Sequence, residues 1–300
     1  MIGIIGSGNV GANAAFFMAE RHVDHVLLYD VLDGLPVGKA LDMMEAAPVR
    51  GYRTRLRGTN NLEDVKGADV IVVAAGTVRK PGSKREDLFA ENKEIVAAIA
   101  RDLKAVDAKV IVVTEPVDAM TTLFLRESGL PSERVVGVGG ILDATRLRSL
   151  IAGELNVSTE NVTATVIGRH TDTMIPLANY CSVSGVPLTQ LLDGGTIDEL
   201  FEKTRKAGDL IVQMAQRASS YYGPSAAISE LAKAMIRDEG RILPVSVMFT
   251  GQFGIKDVAM SLPAVIGKNG IEQTLQPKLT DAQQKQLTES AAELETILAG

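Results

Sequence analysis

Three hundred residues, 46% of them hydrophobic, carry 31 basic against 37 acidic side chains. That length and balance supply a large core and leave no polybasic run for a nucleic-acid groove or an anionic membrane surface. The apolar runs fall far short of the roughly 20 residues a membrane span needs, and the chain starts directly in the strand-like IGIIG without a basic leader, so a soluble, untargeted protein is expected. One cysteine, Cys181, can close no internal disulfide and has no cysteine partner for a metal site, which points to a reducing compartment, the cytoplasm.

In chain order, short apolar runs alternate with helix-like segments: IGIIG (2–6), HVLLYD (25–30), DVIVVAAG (69–76), AKVIVVTEP (108–116) and ERVVGV (133–138). Runs this apolar suit strands buried on both faces of a parallel sheet, with crossover helices between them. The fold class predicted for residues 1–140 is therefore α/β, a Rossmann-type doubly wound parallel sheet. From about residue 141 to 300 the rhythm changes. A helix-like GGILDATRLRSLIAGEL is followed by a strand-like NVTATVIG, amphipathic segments at 196–219 and 224–239, the runs PVSVMFTG and DVAMSLPAVIG, and a polar helix from about 280. This half reads as an α+β substrate domain sharing a broad, cleft-forming interface with the first.

At the first strand-to-helix junction Gly6, Gly8 and Gly11 stand in G-x-G-x-x-G order, enclosing Asn9 and Val10. The glycines allow a tight turn, close approach of backbone to a pyrophosphate and close helix packing, while the helix N-terminus offers N–H groups to phosphate. The second strand ends in Asp30, where a carboxylate binds ribose hydroxyls and repels a 2′-phosphate. NAD rather than NADP is predicted.

Of three histidines, His22 and His25 sit near the start of the second strand and are expected to face solvent. His170 instead follows NVTATVIG, at a strand end where catalytic groups are common in sheet enzymes. Asp143 and Arg146 in LDATR share a helix face. Two readings stand on the residues alone. In one, the carboxylate orients and charges the histidine and the guanidinium grips a substrate carboxylate; in the other, Asp143 and Arg146 form a surface ion pair of little value and His170 is structural. The segment VRKPGSKRED (78–87), four cations and then two carboxylates, is likewise either a solvated loop or a binding site for an anion.

GSGNVG, YD at the end of the second strand, GKALDMMEAAPV, AAGTVRKPGSKREDL, GGILDATR, IGRHTDTMIPL and LPVSVMFTGQFG together resemble the lactate/malate dehydrogenase superfamily, in its lactate-dehydrogenase-like malate dehydrogenase branch, from end to end of the chain. The resemblance implies an NAD-dependent oxidoreductase acting on malate and oxaloacetate. His170 becomes the acid/base, Asp143 its supporting carboxylate, Arg146 the partner of the substrate's C1 carboxylate and Arg85 the cation that polarises the reacting carbonyl from a closing loop. Arg79 stands where the family selects its substrate, and an arginine there pairs with a second carboxylate. Asn92 and Glu115 are expected beside the cofactor, and Glu115 and Ser220 beside the substrate. GKALDMMEAAPV resembles a helix that packs across a subunit boundary, implying a homotetramer or homodimer. No role is assigned to Lys80, Lys84, Glu86 or Asp87.

Two stretches leave the family pattern. Where the family's fourth strand usually ends in Asn-Pro, VVTEPVDAM has Glu115, which when ionised donates nothing and places negative charge near an anionic substrate. Around the histidine, Thr171 stands where the family commonly has glycine and Arg169 adds a cation; a β-branched residue is expected to be strained if that backbone needs a positive φ. Two hypotheses follow: an active malate dehydrogenase with a modified site, or an NAD-binding homologue of impaired catalysis. A lactate dehydrogenase is disfavoured by Arg79.

Overall fold

The computed structural model describes residues 1–77, 87–215 and 220–299; Arg79 and Arg85 lie outside them. The first strand, β1 (Ile2–Ile5), is wholly buried and leads through the glycine turn into α1 (Asn9–Glu20), whose Ala12, Ala14, Ala15, Met18 and Ala19 face the sheet. The four alanines among them let the helix lie close to the strands. Then come β2 (Val26–Tyr29), α2 (Leu35–Arg50), β3 (Leu56–Thr59), β4 (Val70–Val73), α3 (Leu88–Asp102), β5 (Lys109–Val112), α4 (Val117–Ser128), β6 (Val135–Gly137) and α5 (Gly139–Leu155). The six strands are parallel neighbours in the order β6-β5-β4-β1-β2-β3. The chain therefore leaves β1 toward one edge and returns at β4 toward the other, which opens a crevice between those two strands at their C-terminal ends.

After α5 the chain forms the short strands β7 (Val162–Thr163), β8 (Val166–Ile167), β9 (Ile175–Pro176), β10 (Ser182–Val183) and β11 (Val186–Pro187), then α6 (Leu188–Leu191), α7 (Gly194–Ala215) and α8 (Tyr222–Ile236). Three strands follow, β12 (Arg241–Thr250), β13 (Lys256–Gly267) and β14 (Gly270–Thr274), before α9 (Asp281–Ala299) closes the described chain. These three do not build a sheet of their own. They continue the parallel sheet antiparallel, joined through Ser246 opposite Gly137, to give nine strands. A core cluster runs along this whole sheet, and a smaller one lies among α5, α7 and the short strands.

Two expectations need correction. NVTATVIG is not one strand: β7 joins β10 and β11, whereas β8 pairs with β9. β3 was not expected, because an edge strand with only Leu56 buried lacks the apolar run of its neighbours. No described helix is long and apolar enough to cross a membrane.

Candidate active site

The glycine turn shows which positions have no room for a side chain. A Cβ on Gly6, which has φ +102°, would lie 2.6 Å from the Ala75 nitrogen, and one on Gly11 would lie 2.0 Å from the Gly6 carbonyl oxygen. Gly8 is different: a Cβ there meets nothing within 4 Å, so the protein itself does not require this glycine, while a ligand lying across the turn would. No side chain caps α1, and Gly8 and Asn9 are exposed beside its free N-terminus. At the end of β2, Asp30 accepts hydrogen bonds from the Ser7 N–H (2.7 Å) and the Leu32 N–H (3.1 Å), which fixes the carboxylate next to the turn. Open space over Gly8, bare helix N–H groups and an anchored acid fit a pyrophosphate and an adenosine ribose with free hydroxyls.

At the same sheet edge a pocket is lined by Val10, Thr77, Glu115, Arg146, His170 and Ser220, among others. Its most polar wall is assembled from three elements. His170 follows Gly168, which is tied to Ser261 of β13 by two backbone hydrogen bonds (3.0 and 2.9 Å). Asp143, on α5, places Oδ2 2.6 Å from His170 Nδ1 and accepts from Arg146 at Oδ1, 3.3 Å away. Histidine and carboxylate are 4% and 1% exposed, so water competes little for either. Of the two sequence readings of LDATR, the surface ion pair is excluded by this burial.

Asp118 went unnoticed in the sequence. It lies in the first turn of α4, where an acid ordinarily signals only a favourable helix-dipole position. Here it is buried, and it accepts from the His170 backbone N–H (2.6 Å) and from Ser246 Oγ (2.7 Å). Burial pushes its carboxyl up to about 6, against the opposing pull of these hydrogen bonds and of the His170 and Arg169 charges. Gly208 and Val212 of α7 also line the pocket, and only the apolar periodicity of that helix pointed to them.

Asn92 is fully buried. Its Oδ1 accepts from the Thr77 N–H (2.8 Å) and its Nδ2 donates to the Glu115 carbonyl (2.8 Å). It therefore joins the loop after β4 to the loop after β5, rather than offering its amide to the pocket. Glu115 precedes Pro116 across a cis peptide bond and brings Oε1 to 3.5 Å from His170 Nε2. Arg169, the cation added beside the histidine in the sequence, pairs with Glu293 of α9 at 2.9 Å. Thr171 is buried, has no positive φ, and shares its hydroxyl with Thr173 at 2.8 Å; the expected backbone strain is absent because the positive φ falls on Gly168, at +85°.

A doubly wound sheet with a glycine turn after β1 and an acid at the end of β2, facing a carboxylate-braced histidine, is the arrangement of a nicotinamide-dinucleotide oxidoreductase. Two family models cover nearly the whole chain: the lactate/malate dehydrogenase NAD binding domain matches residues 1–137, and the lactate/malate dehydrogenase alpha/beta C-terminal domain matches residues 141–299. The malate dehydrogenase of Chloroherpeton thalassium is 44% identical over 98% of this chain and 96% of its own. A crystal structure of Cryptosporidium parvum malate dehydrogenase superposes with a TM-score of 0.97 at 32% identity, covering 99% of this chain and 97% of that one. The lactate dehydrogenase of the same organism, complexed with lactic acid and nicotinamide adenine dinucleotide, gives 0.95 at 35% identity over 99% and 96%. The chain belongs to the lactate/malate dehydrogenase family and is an NAD-dependent oxidoreductase.

Proposed function

We propose that this protein is an NAD-dependent malate dehydrogenase, interconverting malate and oxaloacetate with His170 as the acid/base. The observation that carries the reading is the 2.6 Å contact between His170 Nδ1 and Asp143, made at the wall of a pocket that Val10 of the dinucleotide turn also lines. The nicotinamide cofactor, when bound, supplies the hydride acceptor or donor. The remaining chemistry falls to side chains of the protein. With Nδ1 held by Asp143, Nε2 is the nitrogen left to take the proton from the C2 hydroxyl of malate, or to return it to the carbonyl oxygen of oxaloacetate. The buried carboxylate stabilises the imidazolium so formed and fixes the ring's orientation. Arg146, 11% exposed at its side chain and one helical turn from Asp143, is suited to hold the C1 carboxylate with two parallel hydrogen bonds.

Because lactate and malate dehydrogenases share this architecture, substrate choice rests on the side chains facing C3 and C4. Arg79 and Arg85 are assigned from the sequence, the first to the C4 carboxylate and the second to the reacting carbonyl. A buried second carboxylate needs a cation, and a buried arginine is costly against a methyl group. The dicarboxylate is therefore favoured over pyruvate, in a reaction that belongs to the tricarboxylic acid cycle. The division of labour follows the two halves of the chain, with residues 1–140 binding the cofactor and 141–300 carrying the histidine and its partners. Ser220 at the pocket wall is a substrate contact in the same scheme. The exposed Val37, Leu41 and Val49 of α2 support a homodimer or homotetramer built on that helix, and the lone buried Cys181 supports a cytoplasmic setting. His170→Gln tests the assignment. Turnover should fall by at least about a thousandfold while NADH still binds, and retention of near-normal turnover would remove His170 from the chemistry.

A further inference from the structure

His170 Nδ1 is committed to Asp143, so Nε2 alone can serve the reacting oxygen, and an imidazole nitrogen presents a single in-plane direction to its partner. Glu115 already reaches that nitrogen, with Oε1 3.5 Å from Nε2. The glutamate backbone is held by the Asn92 amide on its carbonyl at 2.8 Å, and Oε2 accepts from the Val117 N–H at 3.3 Å. Its side chain is about one-third exposed at 32%, against 4% for the histidine, which leaves it room to swing away. Among the described residues the other charged groups around His170 are differently placed: Asp143 sits on Nδ1, Arg146 on Asp143, Asp118 on the backbone N–H, and Arg169 is turned toward Glu293.

We infer that Glu115 competes with the substrate oxygen for His170 Nε2 and disfavours dianionic substrates, making it a specificity-determining residue that acts on substrate affinity more than on the chemical step. This rests on the malate dehydrogenase reading. To bind, oxaloacetate must displace the carboxylate from the nitrogen and then lie beside it as a second anion, so the cost appears in KM and scales with substrate charge. Pyruvate bears one negative charge where oxaloacetate bears two, and meets less of it.

The test compares the full-length wild type with Glu115→Gln, which removes the charge and keeps the size, and Glu115→Ala, which removes both. The KM for oxaloacetate should fall by about tenfold in both variants, with kcat changing much less and the KM for pyruvate falling by a smaller factor. Isothermal titration of L-malate into the protein saturated with NADH, a pair that cannot react because both ligands are reduced, should give a lower Kd in both variants. A gain in Glu115→Ala alone upholds competition for the nitrogen and overturns the charge selectivity. Turnover by the wild type with KM and Kd unchanged or raised in both variants overturns the inference and leaves the malate dehydrogenase reading standing. Turnover and malate binding absent from all three proteins overturn the reading, and the inference with it.

Discussion

At His170 two buried carboxylates act on different atoms, and their loss should be felt differently. Asp143 holds Nδ1 at 2.6 Å. Asp143→Asn keeps the size but loses the charge that stabilises the imidazolium, so kcat should fall by roughly 10²–10⁴-fold with NADH affinity retained; a loss under tenfold in steady-state assays contradicts its role. Asp118 holds the backbone N–H, and burial raises its carboxyl from 3.8 to about 6. The sign follows from that direction. The folded state binds the proton more tightly than the unfolded chain, so this group's stabilising contribution is fully present below pH 3.8 and is lost as pH rises through about 6, on the order of 3 kcal/mol in all. An asparagine can accept from the His170 N–H and donate to Ser246 without titrating. The unfolding free energy of Asp118→Asn minus that of the wild type, measured by denaturant titration, should therefore grow by a few kcal/mol from pH 4 to pH 8. A pH-independent difference would show that Asp118 is not the titrating group. Asp143 was legible in the sequence because it shares a helix face with Arg146 and sits in a recognisable motif. Asp118 was not, since nothing in VDAM reveals that its first-turn acid is buried, nor that Ser246 of β12 and His170 of the loop after β8 come to meet it.

The glycine turn makes a sharper test at the scale of the element, because its glycines are needed for different reasons. Gly11→Ala drives a Cβ into the Gly6 carbonyl, so α1 must shift away from β1. Both thermal stability and NADH affinity should drop, the former by about 1–3 kcal/mol. Gly8→Ala meets no protein atom within 4 Å and should leave the melting temperature close to wild type while weakening NADH binding. If fluorescence titration gives Gly8→Ala the wild-type affinity, the pyrophosphate does not cross the turn at Gly8. β1, β2, β4, β5 and β6 could be read from their apolar runs because both of their faces are covered. The same rule failed at β3, where one side is the sheet edge, and at NVTATVIG, whose apolar residues feed two small sheets with a break at Ala164 and Thr165 between β7 and β8.

Across the whole molecule, the continuous nine-stranded sheet explains how residues far apart in sequence form one site. β12 lies against β6 and presents Ser246 to Asp118; β13 anchors Gly168 just before His170; α8 donates from Ser225 Oγ to the Val10 carbonyl at 2.8 Å. The C-terminal half is thereby fastened to the glycine turn along both the sheet and a helix. The α+β half, expected to share a broad interface with the first, shares a continuous sheet with it, a connection that periodicity alone does not encode, because pairing partners are set by tertiary packing. The resemblance placed Glu115 and His170 at one substrate, but not the approach of Glu115 to Nε2 itself, which depends on the side chain's rotamer. The account as a whole is tested most directly by following NADH oxidation by the purified chain with oxaloacetate, with pyruvate, and with NADPH in place of NADH. Rapid turnover with oxaloacetate and NADH, with pyruvate and NADPH each at least about a hundredfold poorer in kcat/KM, is the predicted result. Binding of NADH without oxidation by either oxo acid, or a preference for pyruvate, would contradict it.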